Sequence, residues 1–197
     1  MFVQIIEGRT SDAEGLMAHG DRWQEELRPG ATGYLGVTAG VAADGRAISI
    51  VRFESEEAAR ANSDRPEQGA WFEQVQKLYD GEPTFTESSD VESFLAGGSN
   101  DAGFVQIMKV KDVDRALVSK LDSSFEQVAH LRPDLIGITR VWTAPDAYVE
   151  AAYFTSEADA RKGEQADMPE ELQAVMKEFE QIMAKTEFID LPNPQLR

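Results

Sequence analysis

Cysteine is absent from the 197 residues. Disulfides, thiolate nucleophiles and Cys-built zinc or iron–sulfur sites are therefore excluded. Histidine is nearly absent: His19 and His130 are the only two, too few for a His-built metal centre. Basic residues are scarce, 19 Lys and Arg against 36 Asp and Glu, and the formal net charge is −17. Such a surface repels phosphate backbones and anionic lipid, which argues against nucleic-acid and membrane-surface partners. Apolar runs last a handful of residues, well short of the roughly 20 that a spanning helix needs. The opening MFVQIIEGR has neither a basic leader nor a cleavage-site pattern, so the expected compartment is the cytoplasm. What is present is a 42% hydrophobic chain, long enough to bury a sizeable core without staples.

It is also internally repeated. Phe2-Val3-Gln4-Ile5 returns as Phe104-Val105-Gln106-Ile107, and Leu27-Arg28-Pro29 as Leu131-Arg132-Pro133. Gly33 is matched with Gly137, and Phe85 with Phe188. Phe53-x-Ser55-Glu56-x-x-Ala59-Arg60 returns as Phe154-x-Ser156-Glu157-x-x-Ala160-Arg161. The offset stays between 101 and 104 along the whole chain, which chance matches would not do. The expected organisation is unit 1 over 1–95, a Gly/Ser-rich linker over 96–102, and unit 2 over 103–197. Both halves are acidic, −10 for residues 1–100 and −7 for the rest, so neither is a basic binding arm.

Each copy presents the same series of elements. Residues 2–7 form an apolar, β-branched run, hence a strand. Ser11-x-x-Glu14 has the capping-box pattern, followed by Leu16, Gly20, Trp23 and Leu27 at helical spacing, and Pro29-Gly30 ends that helix. Strands follow at 32–41 and 47–54 around an Asp44-Gly45 turn. A polar helical stretch 55–62 leads to a second helix from Pro66, on which Trp71, Val75 and Tyr79 share a face. A strand at 83–87 closes the unit. The second copy predicts strands 104–110, 135–143, 147–155 and 186–191, with helices from Asp112 and over 169–184. The series is βαββαβ twice, a ferredoxin-like arrangement. Strands 1 and 3 are apolar on both faces, so both faces of each sheet need cover. The expected fold is α+β, with two tandem ferredoxin-like units packing sheet to sheet as an intramolecular α+β barrel. The tethered pairing needs no partner chain, although a further homodimer through an outer face is compatible with the sequence. Unit 1 alone would expose the face bearing Phe2, Gln4 and Ile6.

This pattern resembles the dimeric α+β barrel superfamily, and within it the antibiotic-biosynthesis-monooxygenase type. The resemblance covers both copies and rests on the element order, the FVQI first strands and the Phe-x-Ser-Glu that ends each third strand. It implies a small-ligand cavity between the helices and the sheet of a unit. It also implies one of two functions. The first is a cofactor-independent monooxygenase, or a related enzyme, acting on a small aromatic or polycyclic compound. The second is a non-catalytic ligand-binding or structural protein of the same fold. Fold alone does not choose between them. Haem-degrading members of the superfamily pair an Asn on the first strand with a Trp and a His near the second helix. Here the first strand offers Gln4 and Glu7, and no His lies near either second helix. No stoichiometric haem binding is expected, and no other cofactor or metal.

The candidate site residues follow. His19, three residues after Leu16 and four before Trp23, is the candidate general base; residues of this kind more often sit at a core boundary. Trp23, Tyr34 and Trp71, with Trp142 and Tyr153 in copy two, are the aromatic material for a ligand pocket, or else plain core. Asn62 is a polar contact at the break before the second helix, or a turn residue. Gln4, Gln106, Arg52 and Arg140 are polar residues on apolar strands that need partners; Arg52 is assigned to the pocket. They line the sheet interior if Val3, Ile5, Val105 and Ile107 face the helices. His130 reads as an exposed helix-end residue aligned with Glu26. Copy one is the expected site, because it holds His19, Trp23, Asn62 and Trp71, whereas Gln127 aligns with Trp23 and Ser123 with His19.

Overall fold

The computed structural model describes residues 1–95, 97–165, 180 and 182–197. In chain order it contains β1 (Phe2–Arg9), α1 (Ala13–Glu26), β2 (Tyr34–Val41), β3 (Arg46–Phe53), α2 (Glu56–Ser63), α3 (Pro66–Val75), β4 (Thr84–Ser88) and β5 (Val91–Leu95). There follow β6 (Phe104–Val110), α4 (Arg115–Val128), β7 (Leu135–Ala144), β8 (Ala147–Phe154), α5 (Glu157–Glu164), β9 (Glu187–Leu191) and β10 (Gln195–Leu196). The expected helix over 169–184 lies, apart from its last few residues, outside the described residues. The strands form two five-stranded sheets, β10-β2-β3-β1-β4 and β5-β7-β8-β6-β9. Within each, β4-β1-β3-β2 or β9-β6-β8-β7 is the ferredoxin-like order, so the architecture is α+β with tandem ferredoxin-like units.

The division of the chain differs from the expected one. Unit 1 is Met1–Val91 together with Asn193–Arg197, and unit 2 is Glu92–Pro192. Residues 92–95, assigned to the end of unit 1, belong with β5 on the second sheet, and the extreme end of the chain supplies β10 to the first. A four-stranded sheet of this order leaves β2, or β7, as an edge with unpaired N–H and C=O groups. A short strand satisfies them: Val37 N–H donates to Arg197 O at 2.8 Å and Arg197 N–H to Val37 O at 3.1 Å. That close approach explains a repeated glycine, although not the one expected. A Cβ on Gly36 would fall 2.2 Å from Arg197 O, and one on Gly137 would fall 1.8 Å from Gly97 O. Both glycines follow the β-bulge at the start of their strand. The equivalent of Gly137 is therefore Gly36, not Gly33.

The F-x-S-E-x-x-A-R repeat has a physical account at each place. Ser55 and Ser156 cap α2 and α5, each accepting from the N–H three residues on, at 3.1 Å, and Glu56 and Glu157 stand in the favourable first turn. Ala59 and Ala160 are fully buried against Phe2 with Phe53 and Phe104 with Phe154, where a larger side chain would overpack the layer. Arg60 reaches Glu87 at 3.0 Å, and Glu87 accepts from Gln4 at 2.7 Å. Unit 2 repeats this set: Arg161 pairs with Asp190, which accepts from Gln106 at 2.9 Å. Both strand glutamines thus have structural partners. On α1 the cap is Asp12, which accepts from Gly15 N–H at 2.9 Å. Ser11 instead donates to Asp80 at 2.9 Å, so the expected capping box does not form.

The assignment of faces is the reverse of the expected one. Gln4 pairs with Val51 and Ile6 with Ser49 across β1 and β3, and these side chains share a cavity lining with residues of α1 and α3. Gln4 and Ile6 therefore face the helices. Val3, Ile5 and Ile50, at 0–1% exposure, lie on the opposite face with Arg52 and Thr38. A strand apolar on both faces gives no alternation from which parity can be read.

Candidate functional site

Unit 1 holds a cavity of about 300 Å³ between its helices and its sheet, at the lower end of small-molecule sites. The floor is helix-facing sheet: Gln4, Ile6, Val37, Ala39, Ala47, Ser49 and Val51. Leu16, Gly20, Trp23 and Gln24 of α1 form one wall, and Gln68, Trp71, Phe72 and Val75 of α3 another. The helical spacing read from the sequence is what aims these residues inward. Gln195 and Arg197, at the end of the chain, line the side along β2.

The aromatic side chains interlock. Trp23 meets Tyr34 with ring centroids 4.9 Å apart and Trp71 edge-on at 6.5 Å. Trp23 Nε1–H donates to Gln68 Oε1 at 2.6 Å, and Gln24 Nε2 donates to the Tyr34 hydroxyl at 2.8 Å. Burial raises Tyr34 above the ordinary tyrosine value, and pushes Tyr79, also in the lining, up to about 12. Both hydroxyls are neutral at physiological pH. Asn62, 6% exposed, lines the cavity while its Oδ1 accepts from Arg65 at 2.9 Å; Arg65 also donates to Leu27 O at 3.1 Å. Asn62 is thus both a wall residue and a tie between α2, α3 and the end of α1.

Four of the sequence-derived residues, Trp23, Tyr34, Asn62 and Trp71, come together here, and two do not. Arg52 lies on the opposite face of the sheet, where it donates to Thr38 at 2.9 Å and to Arg197 O at 3.4 Å. Its strand parity takes it away from the cavity, which corrects its assignment to the pocket. His19 is 3% exposed and lies outside the lining. Its ring stacks on Trp71 at 4.9 Å, with Nε2 3.3 Å from Trp71 O and Nδ1 in contact with the Arg22 guanidinium. A guanidinium only donates, so Nδ1 accepts and Nε2 carries the proton. Burial lowers the imidazole below its ordinary value and outweighs the upward effect of the Trp71 carbonyl; Arg22 lowers it further and Glu26 raises it slightly. His19 is a neutral buttress behind Trp71 rather than a base facing the cavity. Sequence reasoning missed the small residues Gly20, Ala39, Ala47 and Ser49, the wall residues Gln24, Gln68 and Phe72, and Gln195. Small side chains carry no motif, and Gln195 lies far from the rest in sequence.

At the corresponding lattice points unit 2 carries large and charged groups. Ala39 faces Ser49 across β2 and β3, and Arg140 faces Glu150 across β7 and β8. Arg140 bonds Glu150 at 2.7 Å, Asp122 of α4 at 2.7 and 2.8 Å, and Glu92 of β5 at 3.3 Å. Burial alone would lower the guanidinium, but Glu150 and Asp122 raise it; Glu150 itself is raised by burial. Trp142 meets Tyr148 edge-on with centroids 5.0 Å apart, and Tyr153 is fully buried. Helices α1 and α4 have equal length and matching Asp12 and Asp114 caps. That match aligns Trp23 with Phe125 and His19 with Leu121, replacing the expected Gln127 and Ser123. His130 is exposed, in a single 3-10 turn after α4. Among the described residues no group of three or more His, Asp or Glu is arranged to hold a metal ion, and no helix is long and apolar enough to cross a membrane.

No family model matches the chain, and no curated protein matches its sequence. Solved structures do match. A candidate monooxygenase of Lactobacillus acidophilus is 11% identical with a TM-score of 0.71, over 100% of this chain and 98% of that one. One from Fusobacterium nucleatum is 8% identical at 0.74, over 100% and 93%. An anthrone oxidase-like protein is 11% identical at 0.63, over 100% and 92%. At such identities the likeness is one of fold. The chain shares the α+β fold of these structures, with its ferredoxin-like order present twice in one polypeptide.

Proposed function

We propose that unit 1 binds a small, neutral, planar aromatic compound between α1, α3 and the sheet, and that the chain oxygenates it without a resident cofactor. The observation that carries the reading is the cavity of about 300 Å³ walled by Trp23, Tyr34 and Trp71, with neutral amides and hydroxyls as its main polar groups. Flat apolar walls favour a planar ring, and uncharged polar groups favour a ligand without net charge. The fold shared with monooxygenase-like proteins supports the reaction class. In such chemistry an activated CH2 group of the ligand loses a proton, and the carbanion reduces dioxygen. One oxygen atom ends on that carbon as a carbonyl, and the other leaves as water with the two hydrogens removed. The chain's contribution is a dry aromatic chamber that holds the ring and excludes bulk water.

A second reading, binding without chemistry, is favoured by one observation. His19 is turned away with both ring nitrogens engaged, and the one carboxylate in the lining, Asp21, pairs with Arg197 at 3.1 Å. Titration with 1-naphthol and with anthrone, followed by Trp fluorescence and an oxygen electrode, separates the two. Quenching that is strongly reduced in Trp71→Phe, with one dioxygen consumed per anthrone, supports the enzyme. The same quenching without oxygen uptake supports the binding protein. No saturable quenching by either compound contradicts both.

A further inference from the structure

Strand β10 closes the side of the unit 1 cavity along β2. It is held by backbone pairing with β2, by Leu196 at 6% exposure, and by two side-chain bonds to α1. Gln195 Nε2 donates to Met17 O at 2.7 Å, and Arg197 pairs with Asp21 at 3.1 Å. Met17, Asp21, Gln195 and Arg197 are all in the lining. The strand therefore bridges sheet edge and helix where the two layers would otherwise stand open. Gly20 makes room for it, since a Cβ there would fall 2.7 Å from Gln195 Oε1. In unit 2 Asp122 stands at the place of Gly20, and it and Glu92 of β5 both bond Arg140. The carboxamide of Gln195 is thus set over a glycine at the side of a chamber whose ion pair, Asp21 with Arg197, lies beside it.

Resting on the reading of that cavity as a site for a neutral aromatic, we infer that the segment following the second repeat, Asn193–Arg197, completes the site of unit 1. Gln195 is the ligand-contacting residue of β10, and its uncharged amide selects hydroxyl- or carbonyl-bearing aromatics without net charge.

The test uses the full-length chain and 1-naphthol, with affinity read by Trp quenching and by calorimetry. Gln195→Ala weakens binding about fivefold or more, as expected for one lost hydrogen bond and a breached wall. Gln195→Glu weakens it further, because a carboxylate is desolvated beside a neutral ligand. To separate a lost contact from an undocked strand, the same substitutions are made with Thr38→Cys and Leu196→Cys. These residues are cross-strand partners, and the chain has no other cysteine. With the disulfide closed the strand cannot leave, and Gln195→Ala must still lose affinity. If the intact chain binds 1-naphthol and both Gln195 variants bind it equally well, this inference falls while the binding reading stands. If only the variant with free strand ends loses affinity, Gln195 acts by docking and the assigned contact is wrong. If the intact chain binds nothing, the reading of the cavity falls and this inference with it.

Discussion

The two units share a backbone plan and differ in what fills it. In unit 1, Gly20, Ala39, Ala47 and Ser49 leave a chamber beside Trp23 and Trp71. In unit 2, Asp122, Arg140, Tyr148 and Glu150 stand at the same positions, and the buried Arg140 ties the buried Glu150 to the partly buried Glu92 and Asp122. One copy of a duplicated fold keeps space between α1 and its sheet, and at the matching described positions of the other stand larger side chains. The residues common to both copies, such as the Gln4–Glu87–Arg60 and Gln106–Asp190–Arg161 sets, hold the fold. Function is to be sought where the copies differ.

The largest effect that sharpens this contrast is on stability. Arg140→Ala strands the buried Glu150 and costs about 3–5 kcal/mol at neutral pH, measured by urea unfolding. Glu150 is raised above its ordinary value by burial, so the folded state binds its proton more readily than the unfolded chain does. Stability from this group is fully present below the ordinary carboxylate range and is lost as pH rises through the raised value. The deficit of Arg140→Ala therefore shrinks on acidification. A deficit below about 1 kcal/mol would mean that the cluster does not hold together as a unit.

A smaller effect concerns the buttress. His19→Gln removes the stack on Trp71 and costs about 1–2 kcal/mol. Because His19 lies below its ordinary value when folded, the unfolded chain takes the proton first as pH falls. The stability advantage of the parent over His19→Gln is therefore present above pH 6.5 and narrows on acidification below it. A gap that widened instead would mean that the imidazole is charged in the fold, and His19 would return as a candidate base. Smallest is Asp21→Asn, which opens the ion pair with Arg197. Both side chains are about half exposed, so the loss is below about 0.5 kcal/mol and salt-sensitive. A larger loss would place the hold on β10 in that pair rather than in Leu196 and the backbone.

The fold was legible because its contacts are repeated as residues. FVQI, the Ser caps and the buried Ala59 and Ala160 each appear twice at a constant spacing, and helical periodicity aimed Leu16, Trp23, Trp71 and Val75 at one chamber. Three things were not legible. Strands β5 and β10 are bound by backbone hydrogen bonds, which leave no side-chain pattern in so short a segment. The parity of β1 was hidden by apolar residues on both faces, which misplaced Arg52. The chamber itself is made by what is small, and a Gly or Ser at a wall position reads as nothing until its duplicate is seen to hold Asp122 or Glu150. His19 was misassigned because proximity to a Trp in sequence does not say which side of the Trp it occupies.

The central claim, that unit 1 is the site and unit 2 is not, is tested most directly by the stoichiometry of 1-naphthol binding in a calorimeter, for the parent and for Ser49→Leu. Leucine at 49 adds apolar volume to the floor of the chamber, where Ser49 is among the lining residues, and leaves unit 2 untouched. The account predicts one equivalent bound per parent chain, and none by a Ser49→Leu chain that melts no lower than the parent. Two equivalents, or binding that survives Ser49→Leu undiminished, would contradict it.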